Sequence, residues 1–262
     1  MIAKALEWIE GRTVPFLKEI DGVTWSNKSL NKVIDVKNIE TISFSTLTSL
    51  VDYLKSGVDV PNCFVDHIFV NVVSPTYIEV YSGVNEKNYY RRTKIADVRA
   101  VLPEIKVGKW LGQTEFCIML RSSFLDNSSM LRSLFSSDPD VLKGEDTHRN
   151  ALIEVASNIV SGTIAEYQDT GISQKATIRT GIQEAEDKLL PEKVNLRPYR
   201  TFLEVEQPKS EFIFRAQNDK YDGVQLALHE ADGGRWKMDA KAAVKEHLEK
   251  ELEGMEWVSV LA

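Results

Sequence analysis

The chain has 262 residues, with 32 Lys and Arg against 39 Asp and Glu, a net charge of −7, and 43% hydrophobic and 27% charged residues. That balance excludes a disordered chain, and the acidic surplus argues against a nonspecific nucleic-acid coat, which needs a basic surface. No apolar run approaches the ~20 residues of a membrane span, and residues 1–12 lack the continuous apolar core of a secretory signal, so no membrane partner is expected.

Taken in chain order, Ile2, Leu6 and Ile9 predict a short amphipathic helix over residues 2–10. Residues 13–37 mix apolar pairs with turn residues and read as two short strands. Residues 41–45 alternate as a strand. Leu47, Leu50, Val51 and Leu54 then stand at i, i+3, i+4 and i+7, one face of a helix that Gly57 ends. The β-branched and aromatic runs 63–73 and 77–81, joined by Ser74, Pro75 and Thr76, predict a hairpin, and residues 89–101 add a third strand. Helical spacing returns over 114–124, 128–135 and 148–160, the last with Asp146 as a possible N-cap. Residues 164–167 and 176–179 form a further hairpin around Gly171. Residues 199–206, 211–216 and 223–229 read as a three-stranded meander. Asp239 caps a helix over 240–253 whose Val244, Leu248 and Leu252 are expected to pack on that meander, and 257–261 close the chain as a strand.

Strands and helices do not alternate regularly, so a doubly wound parallel sheet is disfavoured. The expected fold is α+β: antiparallel sheets with helices packed on one side, and a C-terminal three-stranded meander followed by a helix. At about 100–200 residues per domain, an N-terminal α+β region over 1–109 and a C-terminal region over 110–262 are expected to form one compact unit.

Cys63 and Cys117 lie apart among apolar neighbours and read as two reduced, buried thiols. His67, His148, His229 and His247 show no metal-ligand spacing, and neither metal nor cofactor is expected. Asp66 and His67 fall on opposite faces of a strand, without an orienting partner in sequence. Asp138, Asp140, Asp146 and His148 gather near a helix start, where capping is the simpler role. Asp232, Gly233 and Gly234 suit a tight turn better than a phosphate loop. No catalytic residue is assigned, and the balance leans away from an enzyme. The strongest local signal is Tyr89-Tyr90-Arg91-Arg92-x-Lys94, which couples aromatic faces to cations within an acidic chain. Arginine grips oxyanions and tyrosine stacks on bases. Alternation puts Tyr90, Arg92 and Lys94 on one face; the opposing expectation is that acidic neighbours neutralise them. A second cluster is Arg197, Tyr199 and Arg200, and the two would form an anion pocket if they met.

A further set of positions is Trp110-x-x-Gln113-x-x-Phe116, Leu152-x-x-Val155-Ala156-Ser157, Pro198 to Pro208, Phe212-Ile-Phe-Arg215 and Glu230-Ala-Asp-Gly-Gly-Arg-Trp236. Across roughly 110–252, with a weaker echo at 41–56, the chain resembles the phage and prophage family typified by YfdQ. The resemblance implies a bacteriophage accessory protein in the cytoplasm of a bacterial host and carries over no catalytic residue. Tyr77, Tyr81 and Tyr90 on sheet faces or edges, surfaces commonly covered by a partner, lead to the expectation of a homo-oligomer, and without a catalytic set the chain is expected to act by binding. Its partner would be a small anionic host ligand, such as a nucleotide immune signal, or a host protein. The alternative is an accessory to phage DNA replication or recombination that binds single-stranded DNA.

Overall fold

The computed structural model describes residues 18–20, 23–25, 40–57, 67–84, 92–126, 148–166, 173–179 and 184–262. The expected helices over 2–10 and 128–135, together with Cys63, Asp66, Tyr89, Tyr90, Arg91, Asp138, Asp140 and Asp146, lie outside them. Strands β1 (Lys18–Ile20) and β2 (Val23–Trp25) form an antiparallel hairpin.

β3 (Ile42–Phe44) leads into α1 (Leu47–Ser56). The Thr46 side chain accepts from the Ser49 backbone N–H at the helix start. Gly57, at φ 62°, closes the other end with its N–H on Leu54 O, a conformation that strains residues with a Cβ. Leu47, Leu50, Val51 and Leu54 are all buried, as their spacing requires. β4 (Ile68–Ser74), β5 (Tyr77–Ser82) and β6 (Lys94–Arg99) follow. With β14 (Val258–Leu261) they complete a five-stranded sheet in the order β14-β4-β5-β6-β3. The hairpins are antiparallel, but both edge strands run parallel to their neighbours, β14 to β4 and β3 to β6.

The rest of the chain builds a second layer system. β7 (Leu111–Gly112), α2 (Gln113–Ser123), α3 (Arg149–Asn158), β8 (Ala165–Glu166), β9 (Gln174–Arg179), β10 (Ala185–Leu189), β11 (Lys193–Leu196), β12 (Ser210–Asp219) and β13 (Gly223–Glu230) give two antiparallel sheets, β11-β12-β13-β7 and β10-β9-β8. Phe116, Leu120 and Leu152 from the helices meet Phe212, Phe214 and Leu226 from the meander. The molecule is thus α+β, and its C-terminal meander is followed by α4 (Trp236–Glu251).

The Asp239 cap expected for α4 is not formed: the helix starts at Trp236 without a side-chain cap, and Asp239 lies in its first turn. Two further expectations need correction. Residues 199–206 are not a strand, and the first strand of the meander is β11. Their alternating pattern is overridden by Gln207, whose side-chain oxygen accepts from the Arg200 and Thr201 N–H groups. Its amide nitrogen donates to the carbonyls of Thr201, Phe202 and Val205. These bonds replace a β ladder and fold the segment into a knot. The second correction concerns α4: its Val244, Leu248 and Leu252 stripe packs with Leu50, Val70 and Val80 under the five-stranded sheet, not on the meander. The chain after α4 returns as β14 beside β4, which draws the helix there. Phe202 and Val205 of the knot enter the same cluster. Thr201 hydroxyl donates to Pro75 O at 2.6 Å, and Glu204 accepts the Leu47 N–H at 2.8 Å, pinning the knot to the β4–β5 turn and the start of α1.

Candidate functional site

The helices cover one face of the five-stranded sheet. Alternation sends Phe69, Asn71, Tyr77, Glu79 and Tyr81 to the other. The register sets Phe69 opposite Tyr81, Glu79 opposite Asp97, Tyr77 opposite Arg99 and Tyr81 opposite Lys94, so three adjacent strands supply this open face.

Its centre is a closed charge network. Glu79 accepts from Tyr77 hydroxyl at 2.6 Å, Tyr81 hydroxyl at 2.8 Å and Lys94 Nζ at 3.1 Å. Lys94 Nζ also donates to Tyr77 hydroxyl at 2.6 Å and lies 2.8 Å from Asp97 Oδ2. Two carboxylates directly opposite on neighbouring strands repel, and Lys94 sits between them. The hydrogen bonds from Tyr77 and Tyr81, reinforced by Lys94, lower the Glu79 carboxyl from 4.5 to about 2. The bond to Asp97, then that to Tyr77, raises Lys94 above its ordinary value. Glu79 is therefore a fixed anion, unsuited to general base work near neutral pH.

Two further cations flank the network. The Arg99 guanidinium lies 4.1 Å from the Tyr77 ring centre and that of Arg92 lies 4.8 Å from Phe69. Neither has an ion-pair partner among the described residues. At the sheet edge, His67 Nε2 lies 2.8 Å from Ser259 Oγ, with its ring against Phe69. A serine beside an imidazole is the start of a nucleophile–base pair. Among the described residues, no third group is bonded to the ring to orient it.

The predicted basic strand face therefore divides. Arg92 is exposed and stacked, Lys94 is bound to Glu79 and Asp97, and Tyr90 lies outside the described residues. The second predicted cluster is elsewhere: Arg197 pairs with Glu206 at 2.7 Å and Arg200 with Glu230 at 2.8 Å. Among the described residues, no bond or ring contact joins it to Arg92 or Lys94. His148 is buried, its Nδ1 accepting from Asn195 N–H at 3.1 Å, and Asp232 accepts from Gly234 N–H to make the expected tight turn. Cys117 is buried and burial raises its thiol, so it is a poor nucleophile. Among the described residues no group of His, Cys, Asp or Glu is placed to hold a metal, and no helix is long and apolar enough to cross a membrane.

Sequence reasoning missed Phe69, Glu79, Asp97 and Arg99, and read Tyr77 and Tyr81 only as aromatic surface for a second copy of the chain. The signal was present in Tyr77-x-Glu79-x-Tyr81, an acid between two tyrosines on one strand face, and in Asp97 three residues after Lys94. The fold and face together describe an α+β protein with an open aromatic and cationic sheet surface. No family model, curated protein or solved structure matches the chain.

Proposed function

We propose that this chain is a non-catalytic, self-associating binding protein that holds a small anionic ligand bearing an aromatic ring, in the first instance a nucleotide, on the open face of the five-stranded sheet. The observation that carries this reading is the pairing of Arg92 with Phe69 and Arg99 with Tyr77, cations laid on ring faces with no ion pair at contact distance among the described residues. A guanidinium so placed grips phosphate with its N–H edge, while Tyr81 and the neighbouring rings offer stacking surface for a base. Together Arg92, Lys94 and Arg99 exceed Glu79 and Asp97 by one positive charge, within a chain of net charge −7. Self-association is supported by β14, an edge strand with neither charge nor proline to block pairing. The resemblance to phage proteins makes capture of a host nucleotide signal in the bacterial cytoplasm the natural setting. The runner-up reading, single-stranded DNA, draws on the same stacking chemistry.

Calorimetric titration of a mononucleotide, a cyclic dinucleotide and a short single-stranded DNA into wild type and an Arg92→Ala, Arg99→Ala double variant tests this. The expected result is binding of a nucleotide that weakens with salt and drops at least about tenfold in the variant, the cost of losing charged hydrogen bonds. Tighter binding of DNA than of either nucleotide would favour the runner-up.

A further inference from the structure

A second feature stands apart from the sheet face and does not rest on that reading. Arg200, in the knot, has a side chain only 6% exposed. Its guanidinium lies against two rings, 5.0 Å from the centre of Phe212 and 4.6 Å from that of Trp236. Glu230 takes Nη2 at 2.8 Å. Among the described residues, Nη1 is buried without an acceptor, and so is Nε1 of Trp236. Both atoms can only donate, and buried donors are rarely left unpaired. Burial holds the Arg200 guanidinium below its ordinary value despite the attraction of Glu230 and Asp232.

The surroundings extend the pattern. Ser210 Oγ and Arg197 Nε are also buried without partners among the described residues. Ser210 lies on the same face of β12 as Phe212 and opposite Leu196, the residue before Arg197. Trp236 is the first residue of α4, whose start carries no side-chain cap. The turn before it contains Gly233 at φ 64° and Gly234 at φ 80°.

We infer that the Arg200–Trp236 cluster is a binding site for an oxyanion, the carboxylate or phosphate group of a small molecule, which accepts from Arg200 Nη1 and Trp236 Nε1. Glu230 stays on Nη2. Its charge and that of Asp232 limit general attraction for anions, so recognition rests on the two directed donors. Both donors are buried.

The indole N–H resonance of Trp236, assigned by its loss in Trp236→Phe, reads the site directly. Inorganic phosphate, adenosine monophosphate and acetate are titrated separately at constant ionic strength. The expected result is a saturable shift of that resonance. Phosphate and the nucleotide acting without acetate would identify a phosphoryl ligand, and acetate acting alone a carboxylate. Trp236→Phe keeps a ring on the guanidinium and removes only the donor. Its affinity, read by calorimetry, should fall about tenfold, as should that of Arg200→Lys. The Arg92→Ala, Arg99→Ala variant should keep the full Trp236 response, which separates this site from the sheet face. No saturable shift with any of the three ligands, or unchanged affinity in Trp236→Phe, would overturn the assignment.

Discussion

Among the described residues, the five-stranded sheet and the meander each lay one face on helices and leave the other open, yet their open faces are built differently. On the meander, Lys193 pairs with Glu211 at 2.8 Å and Gln217 with Gln225 at 2.8 Å. These are cross-strand pairs of ordinary kind, each half in water. On the five-stranded sheet, one lysine bridges two opposed carboxylates, two tyrosines close on one of them, and two arginines lie on rings. Both faces are polar, but only the second concentrates aromatic surface beside cations that lack carboxylate partners among the described residues. Polarity of an open face is therefore a weak sign of function; the arrangement of charge against rings is the informative part.

The comparison can be broken from the core outward. Leu248 is fully buried under the five-stranded sheet. Leu248→Ala should cost about 2–5 kcal/mol in chemical denaturation. A cost below about 1 kcal/mol would show that α4 does not seal that sheet's inner face. Lys94→Ala should cost about 1–3 kcal/mol, because it leaves Glu79 and Asp97 facing each other without their shared donor. Lys193→Ala, at an exposed pair on the meander, should cost no more than about 0.5 kcal/mol. Equal costs for the two lysines would erase the distinction between the faces.

The same network predicts a pH dependence. Glu79 titrates near 4.5 when unconstrained and at about 2 in the fold. The unfolded chain therefore takes up its proton first as the pH falls. The stabilisation is complete above about 4.5 and is lost as the pH drops toward about 2. Asp97, lowered chiefly by its bond to Lys94, acts in the same direction. Denaturation midpoints measured across that range should decline less steeply in Glu79→Gln than in wild type. Parallel declines would place the acid sensitivity elsewhere.

Local structure was legible where one chemical rule acted alone. The i, i+3, i+4, i+7 leucines and valine with Gly57 located α1, and Ser74, Pro75 and Thr76 located the β4–β5 turn. Residues 199–206 misled because their alternation is real, while the decisive group is the Gln207 amide beyond them, saturating backbone positions that a strand would have paired. The seat of α4 was hidden for another reason. A helix stripe shows that a partner exists, not which one, and the parallel pairing of β14 with β4 joins residues 190 apart at Val258 and Ile68. In the candidate site, Arg92 and Lys94 were visible as cations on one strand. Whether each was spent or available depended on Glu79, Asp97, Phe69 and Tyr77, which only the register brings alongside. Arg200 was likewise visible, but Trp236 and Glu230, which bury and pair it, come from elements that follow the knot by some thirty residues.

The central claim is that the arginines stacked on the open sheet face, not the paired Lys193 of the meander, engage an anionic ligand. Nucleotide affinity measured calorimetrically at two salt concentrations in wild type, Arg92→Ala, Arg99→Ala and Lys193→Ala tests it most directly. The account predicts that each arginine variant loses affinity and part of the salt dependence, while Lys193→Ala matches wild type. Identical affinities and salt slopes in all four proteins would contradict it.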